Sequence, residues 1–214
     1  MRTLSVVKAV LAAAAVTAAP LVCHAESSVQ TGAATATTGA AAHVDFQITI
    51  PKFLYLRVGT GSAYTTGTYA ANATVNLITW APTAAQVGSG TALAGTGGDL
   101  TGGVETAAIV SNSGDVTLNA TTTGQLSDGA GDNISFAQIT TTASSNTTGT
   151  VLPAPVLVDG ATSANVVISA PASKIIKQDA KWAFAYANTT TPPAGVYGGV
   201  NTNNSRVTYT ATMP

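Results

Sequence analysis

The stretch Gly195-Val-Tyr-Gly-Gly-Val-Asn-Thr-Asn-Asn-Ser-Arg-Val-Thr-Tyr-Thr-Ala-Thr-Met-Pro214 decides the fold. Its second half alternates apolar residues with threonines, the apolar ones being Val207, Tyr209, Ala211 and Met213. A period of two is that of a half-buried β-strand, whose successive side chains point to opposite faces of a sheet. Turn-forming residues 201–205 precede it, as expected where a chain reverses between two strands. The pattern therefore predicts a strand at 207–213.

The composition extends this prediction to the rest of the chain. Only 8% of the residues are charged, so the side chains that cover long amphipathic helices are scarce. Thr and Val favour strands, while Gly and Asn favour turns. Roughly nine or ten short strands at close spacing, each followed by turn residues, are predicted. We therefore expect an all-β fold, an antiparallel β-sandwich with Greek-key connections.

Three regions are predicted along the chain. Residues 1–25 have a basic start, a short apolar middle and a small residue, Ala25, at the cleavage position, which is the layout of a secretory signal peptide. Residues 26–42 are low-complexity and lack bulky apolar groups, so they are expected to form a flexible N-terminal arm. Residues 43–214 are expected to form a single β-sandwich domain.

Export and charge exclude several classes of function. Removal of residues 1–25 leaves six basic and nine acidic residues, a formal net charge of −3. Nucleic-acid binding, which needs a basic footprint, is therefore not expected. The only cysteine, Cys23, lies in the predicted signal, and the neighbouring Val22 and Pro20 disfavour its use as a lipid anchor. We expect an exported protein of the periplasm, cell surface or extracellular space, with no membrane span in the mature chain.

The first half of the domain is predicted to contain three strands. His43–Ile50 is the first, with Val44, Phe46, Ile48 and Ile50 on one face and Pro51 ending it. The apolar run 53–58 is expected to be covered on both faces, and 72–80 is the next strand. The stretches between strands give two expected loops, at 86–104 and 140–148.

The second half of the chain continues this pattern. Strands at 105–112 and 115–120 flank a Ser-Gly pair, which is the strongest hairpin signal in the sequence. Residues 151–158 contain two prolines and are expected to be an edge strand or an extended connector. Residues 174–181 are expected to form either a helical turn or part of a strand, and the aromatic residues of 182–186 to anchor the core.

Side chains suited to catalysis or metal binding are few. His43 is the only histidine left after signal removal, so neither a histidine-based triad nor a zinc site is expected. Most carboxylates lie in turns, where they cap backbone N–H groups, so a glycosidase pair is not favoured. Asp128 and Asp132 lack the spacing of a calcium loop, and we favour a turn, although the sequence leaves Ca²⁺ binding there open. We therefore predict no enzyme, no catalytic or metal-binding residues and no cofactor.

A group of aromatic residues allows two interpretations. Their alternation along strands is typical of core residues, whereas exposure on one face would make a sugar-binding platform. We favour the core. The residues concerned are Trp80, Trp182, Tyr186, Tyr197 and Tyr209.

The sequences Ala194-Gly-Val-Tyr-Gly-Gly and Arg206-Val-Thr-Tyr-Thr-Ala-Thr resemble the closing hairpin of bacterial fimbrial (pilin-like) and spore-coat-U-like exported subunits. The resemblance implies an immunoglobulin-like or pilin-like sandwich that lacks one strand and receives a neighbour's N-terminal extension. It also implies a periplasmic chaperone and an usher as partners. The arm at 26–42 would be the donor, but its side chains are small or polar, so a self-complete sandwich is an alternative.

The function that this resemblance implies is that of a secreted structural subunit of a bacterial surface appendage or coat, which assembles by strand pairing with copies of itself or other subunits. The alternative is a free-standing secreted adhesion module that binds carbohydrate or a surface ligand. The two differ in whether the sandwich has an open groove or an exposed aromatic face.

Overall fold

A computed structural model describes residues 27–34, 39–59, 69 and 71–214. The predicted signal peptide and its cleavage position lie outside the described residues, as does part of the arm at 26–42. Two units are distinguished along the chain, one ending at Ile50 and the other running from Pro51 to Pro214. The compact all-β unit thus begins at Pro51 rather than at His43.

The first unit contains no strand or helix in its described residues. The prediction of a strand at 43–50 is therefore wrong for this chain on its own. All the described residues are exposed, including the apolar side chains of the alternating stretch. A strand needs a neighbouring strand for its backbone groups, and no β-ladder among the described residues includes any of 44–50.

The second unit is built from twelve described strands and one short 3₁₀ turn at Phe136–Gln138. The strands are β1 (Leu54–Val58), β2 (Ile78–Thr79), β3 (Leu93–Ala94), β4 (Thr96–Gly97), β5 (Val104–Ser111), β6 (Val116–Thr121), β7 (Leu126–Ser127), β8 (Asn133–Ile134), β9 (Ile139–Ser144), β10 (Val166–Ile168), β11 (Ile176–Tyr186) and β12 (Thr208–Thr212). The chain is all-β, as predicted.

Two sheets dominate the unit, and every strand pair in them is antiparallel. The larger sheet has the order β1-β5-β11-β3, with β9 also paired to β11. The smaller sheet has the order β10-β6-β12. The inward residues of both sheets form one apolar core, which includes Ile109 and Trp182 from the larger sheet and Leu118 from the smaller. This is a sandwich-like arrangement whose sheets are not closed.

Several local predictions are confirmed. Strand β1 falls within 53–58, and of the two alternatives for 174–181 the structure shows a strand, which begins at Ile176. Residues 151–158 are an extended connector that makes one isolated bridge, from Val151 to Asp179. Along β11, Trp182 and Phe184 are core residues, as their alternation predicts.

Other predictions are wrong in an informative way. The strands of the predicted hairpin exist as β5 and β6, but they lie in different sheets, so the Ser-Gly junction joins the two layers. The predicted strand at 72–80 is reduced to β2, and the predicted loop at 140–148 contains most of β9. The loop at 86–104 contains β3 and β4.

The closing strand is present, but its partner differs from expectation. Strand β12 pairs with β6, with Tyr209 opposite Ala120 and Ala211 opposite Leu118. The turn residues at 201–205 predicted a preceding strand next to it in the chain, but no strand lies between Tyr186 and Thr208. Among the described residues, β12 has a ladder partner on this one side only, and β1 of the larger sheet lies close to it without forming a ladder.

Candidate functional site

A deep groove opens within the unit that begins at Pro51. Its volume is about 1170 Å³, above the roughly 300–1,000 Å³ that small-molecule sites occupy. The two main sheets contribute apolar side chains to its lining: Leu56, Val58, Ile139 and Phe184 from the larger sheet and Tyr209 from the smaller. Further apolar lining comes from outside these sheets: Ile78, Trp80, Leu126, Ile134, Phe136, Leu157 and Val207.

The groove reaches the beginning of β12. Residues 205–207, which precede the strand, line it together with Thr208 and Tyr209, the first two residues of β12. Strand β1, which is an edge of the other sheet, contributes Leu56 and Val58. An edge strand from each sheet thus contributes to the groove.

Irregular segments complete the lining. Residues 74–82 and 192–201 line the groove, and the only strand in either is the two-residue β2. Several of their apolar side chains are exposed, among them Val75, Leu77, Val196 and Val200. Soluble proteins expose single apolar residues routinely, but a concentration of them beside an apolar groove marks a binding surface.

Glu105 is the acidic residue that lines the groove. Its Oε2 accepts hydrogen bonds from Asn76 Nδ2 at 2.8 Å and from the Asp99 N–H at 3.3 Å. Burial raises the pKa of the Glu105 carboxyl, and the hydrogen bond from Asn76 opposes this only in part. The Asp99 carboxylate accepts from the N–H and the hydroxyl of Thr106. Both acids therefore bind neighbouring backbone and side chains.

Hydrogen-bonding capacity is left unused beside the groove. The indole N–H of Trp80 and the hydroxyl of Tyr186 are buried and have no hydrogen-bond partner in the described structure. Both side chains line the groove. Buried polar groups are normally paired, and leaving one unpaired costs roughly 1–3 kcal/mol. The groove thus combines exposed apolar side chains with two buried polar groups that have no hydrogen-bond partner in the described structure.

The groove is not lined by Asp128, Asp132 or His43, which the sequence analysis considered as metal-binding or catalytic candidates. The Asp128 carboxylate accepts from the N–H groups of Ala130, Gly131 and Asp132 at 2.8–3.1 Å, and these bonds, led by the one from Ala130, lower its pKa. That is the geometry of a turn. No group of three or more metal-ligating side chains exists among the described residues. His43 is exposed.

The aromatic residues do not form an exposed platform. Trp182 and Tyr186 are buried, and the ring of Tyr209 packs at 5.3 Å from that of Trp182. Trp80 is partly buried, and so is Tyr197, whose hydroxyl donates to the Pro193 carbonyl at 2.8 Å. Of the five aromatic residues, Trp182 and Tyr186 are therefore buried core residues, as the favoured interpretation states.

The sequence analysis singled out four aromatic residues that line the groove, Trp80, Tyr186, Tyr197 and Tyr209, but did not predict that they come together. They are far apart in the sequence, and only long-range pairing, such as that of β12 with β6, brings such segments together.

Comparison with protein-family models, with curated proteins and with solved structures found no match to this chain. In the described part of the chain, no helix is long and apolar enough to cross a membrane.

Proposed function

We propose that this chain is an exported structural subunit of a bacterial surface appendage or coat, and that its sandwich is completed by a β-strand from a neighbouring subunit. The observation that carries the proposal is the apolar groove lined by part of two edge strands, β1 of the larger sheet and β12 of the smaller. An extended peptide added to such an edge gains main-chain hydrogen bonds, while alternate side chains fill the apolar floor.

The size and lining of the groove favour a strand over a small ligand. Few charged or catalytic groups line it, and Glu105 is held by Asn76 and Asp99. Four buried apolar side chains of an incoming strand would each contribute roughly 1.5–3 kcal/mol before ordering costs. A gain of that size is enough to decide whether subunits remain separate.

The sequence supports the same function. Low charge, abundant Thr and a predicted signal peptide are typical of exported subunits that assemble outside the cytoplasm. A carbohydrate-binding module has less support, because Trp182 is buried and the Tyr197 hydroxyl is bonded to a backbone carbonyl.

The test is to place a charge in the groove. Val200 lines the groove and Val156 does not, yet both are similarly exposed, at 73% and 76%. Either Val→Asp change should leave the fold intact. We expect Val200→Asp to weaken assembly of the full mature chain at least about tenfold, measured by light scattering over a range of concentrations, and Val156→Asp to leave it unchanged.

Two results would contradict the proposal. One is a parent chain that stays monomeric at every concentration, with a groove that remains open to an apolar fluorescent dye. The other is equal assembly by the parent and by Val200→Asp. Circular dichroism of each variant shows whether a loss of assembly comes from unfolding.

A further inference from the structure

We infer that one corner of the groove, defined by Trp80, Phe184, Tyr186 and Tyr197, binds a small uncharged molecule that has an apolar chain and a carbonyl oxygen. All four side chains line the groove, and we call their site the aromatic corner. The groove as a whole is larger than such a molecule fills, and the inference concerns only this corner in a separate subunit. It therefore goes beyond the proposed function and does not rest on it.

The aromatic corner contains two buried hydrogen-bond donors without a partner. The side chain of Tyr186 is only 7% exposed, and its hydroxyl forms no hydrogen bond in the described structure. The indole N–H of Trp80 is buried and unpaired in the same way. The other indole of the chain shows the usual arrangement, since the Trp182 N–H donates to the Leu152 carbonyl at 2.8 Å. Two unpaired donors beside a groove indicate that an acceptor entering the groove pairs with them.

Both donors are held against the same end of β11. The Gly95 N–H donates to the Phe184 carbonyl at 3.3 Å, next to the pairing of Tyr186 with Leu93 in β3. A Cβ on Gly95 would lie 3.3 Å from Trp80 Nε1, so the indole rests directly on the Gly95 backbone. Phe184 and Tyr186 are two residues apart in the strand and point to the same face of the sheet. The indole of Trp80 and the phenol of Tyr186 therefore lie at neighbouring positions.

The nearest polar side chain along β11 is already satisfied. Asn188, two residues beyond Tyr186, is buried. Its Oδ1 accepts from the Gly88 N–H at 3.0 Å, and its Nδ2 donates to a backbone carbonyl. Ile78 lies against the same glycine as the indole, because a Cβ on Gly95 would be 2.5 Å from Ile78 Cγ2. The two unpaired donors thus stand beside apolar groups rather than beside further free polar ones.

The surroundings favour a neutral ligand over an anion. An indole N–H and a phenol hydroxyl are uncharged donors, and a buried anion would need a cation beside it. Partial burial, followed by the charges of Asp132 and Asp128, raises the pKa of the Tyr197 hydroxyl, and Tyr186 adds to this effect. The carboxylates therefore make this part of the groove negative. Arg206 also lines the groove, so the experiment includes a carboxylate ligand.

A carbonyl oxygen is the acceptor that suits this corner. It has two lone pairs and can accept from the Trp80 N–H and the Tyr186 hydroxyl at once. An alkyl chain attached to the carbonyl would bury its surface against the apolar lining of the groove. Aliphatic esters and ketones combine the two features, and methyl decanoate is a suitable probe.

The first experiment titrates the full mature chain with methyl decanoate, at dilutions where light scattering shows separate subunits. The chain has two tryptophans, whose indole N–H signals can be followed by nuclear magnetic resonance. We expect the Trp80 signal to shift until the site is saturated, and the signal of Trp182, whose N–H is already bonded, to stay in place. Undecane, which lacks the oxygen, and decanoate, which is charged, should each bind at least about tenfold more weakly. No shift of the Trp80 signal, or equally tight binding of either analogue, would overturn the inference.

The second experiment removes one donor. Tyr186→Phe deletes only an unpaired hydroxyl, so the fold should be kept, as circular dichroism can show. It should weaken the binding of methyl decanoate about five- to tenfold and leave that of undecane unchanged. The matched control is Tyr55→Phe, which removes a hydroxyl from a residue that does not line the groove and should change neither affinity.

Unchanged binding of methyl decanoate by a folded Tyr186→Phe variant, or an equal loss in Tyr55→Phe, would overturn the inference. Assembly is measured separately with Val200→Asp. If that variant weakens assembly while the parent does not bind methyl decanoate, only the aromatic corner is ruled out as a ligand site and the proposed function stands.

Discussion

Residues 44–50 and residues 207–213 carry the same alternation of apolar and polar side chains, yet their surroundings differ completely. In the later stretch, Val207, Tyr209, Ala211 and Met213 are half-buried, and the threonines between them are mainly exposed. In the earlier stretch every residue is exposed and no strand forms. The earlier stretch has the larger apolar side chains, so hydrophobicity does not explain the difference.

The difference lies in the partner. Strand β6 supplies a backbone ladder for β12, and its inward side chains, Val116, Leu118 and Ala120, are buried. Residues 44–50 have no such ladder among the described residues. An alternating sequence shows which face of a strand would be apolar. The strand itself forms only when a neighbouring strand supplies hydrogen bonds to its backbone. An unpaired stretch with this pattern therefore leaves its apolar face exposed.

The largest effect should come from removing the aromatic side chain of the paired stretch. We expect Tyr209→Ala to lower the free energy of unfolding by about 3–5 kcal/mol, because its ring packs on Trp182 within the core. Phe46→Ala, the equivalent change in the unpaired stretch, should alter the stability of the monomer by less than about 0.5 kcal/mol. Denaturant unfolding in dilute solution, where the chain is monomeric, measures both.

Thr210→Ala is the matched control, since Thr210 is an exposed residue of the same strand. It should behave like Phe46→Ala. If Phe46→Ala destabilised the monomer as much as Tyr209→Ala, residues 44–50 would belong to the core of their own chain, and the distinction between the two stretches would disappear.

The sequence predicted the class of fold more accurately than it predicted which strands pair with each other. Periodicity located β1, β6, β11 and β12, because each carries its own alternating or continuous apolar pattern. It missed that β5 and β6 lie in separate sheets, because a Ser-Gly turn permits a hairpin and equally permits a crossing between layers. It missed β9, a Thr-rich strand whose order comes from β11. The groove depends on such long-range pairing and so had no local signal.

A third region shows another way to order an irregular stretch. Residues 146–148 form no strand, yet they are fixed by the buried carboxylate of Asp179. That carboxylate accepts from Asn146 Nδ2 at 2.9 Å and from the Thr148 N–H and hydroxyl at 2.8 and 2.7 Å. It also accepts from the N–H and hydroxyl of Thr147. Residues 44–50 show no comparable set of bonds in the described structure.

The second prediction concerns the pH dependence that these bonds create. Burial alone would raise the pKa of the Asp179 carboxyl, but the hydrogen bonds from Thr147 and Thr148 outweigh it and lower the pKa to about 2. Because the folded-state pKa is depressed, this stabilisation is fully present above the usual value of 3.8 and is lost as the pH falls towards 2. The shift corresponds to about 2 kcal/mol.

Asp179→Asn tests this prediction. The variant should be less stable than the parent at neutral pH, and the gap between the two should narrow as the pH falls from 4 to 2. Parallel acid unfolding curves for parent and variant give the difference, in which the contributions of the other carboxylates cancel. A gap that stays constant with pH would mean that Asp179 acts through packing rather than through its charge.

The smallest effect concerns the acid beside the paired stretch. Burial raises the pKa of Glu105, and burial together with the Glu105 charge raises that of Tyr209. A carboxyl whose folded-state pKa is raised binds its proton more tightly in the folded state. Its contribution to stability therefore falls as the pH rises from the usual value of 4.5 through the raised one. Glu105→Gln removes this charge and can still accept from Asn76.

Glu105→Gln should therefore change the free energy of unfolding by no more than about 1 kcal/mol. Above pH 4.5 the stability of the variant should increase relative to that of the parent. The matched control is Asp45→Asn, which removes a charge from an exposed residue of the unpaired stretch and should leave the monomer's free energy of unfolding at neutral pH unchanged. If an assembled strand covers the groove, the carboxylate of Glu105 loses further contact with water. At neutral pH, Glu105→Gln should then favour the free energy of assembly by more than it favours the free energy of unfolding of the monomer. If the two free energies changed equally, Glu105 would lie outside the contact between subunits.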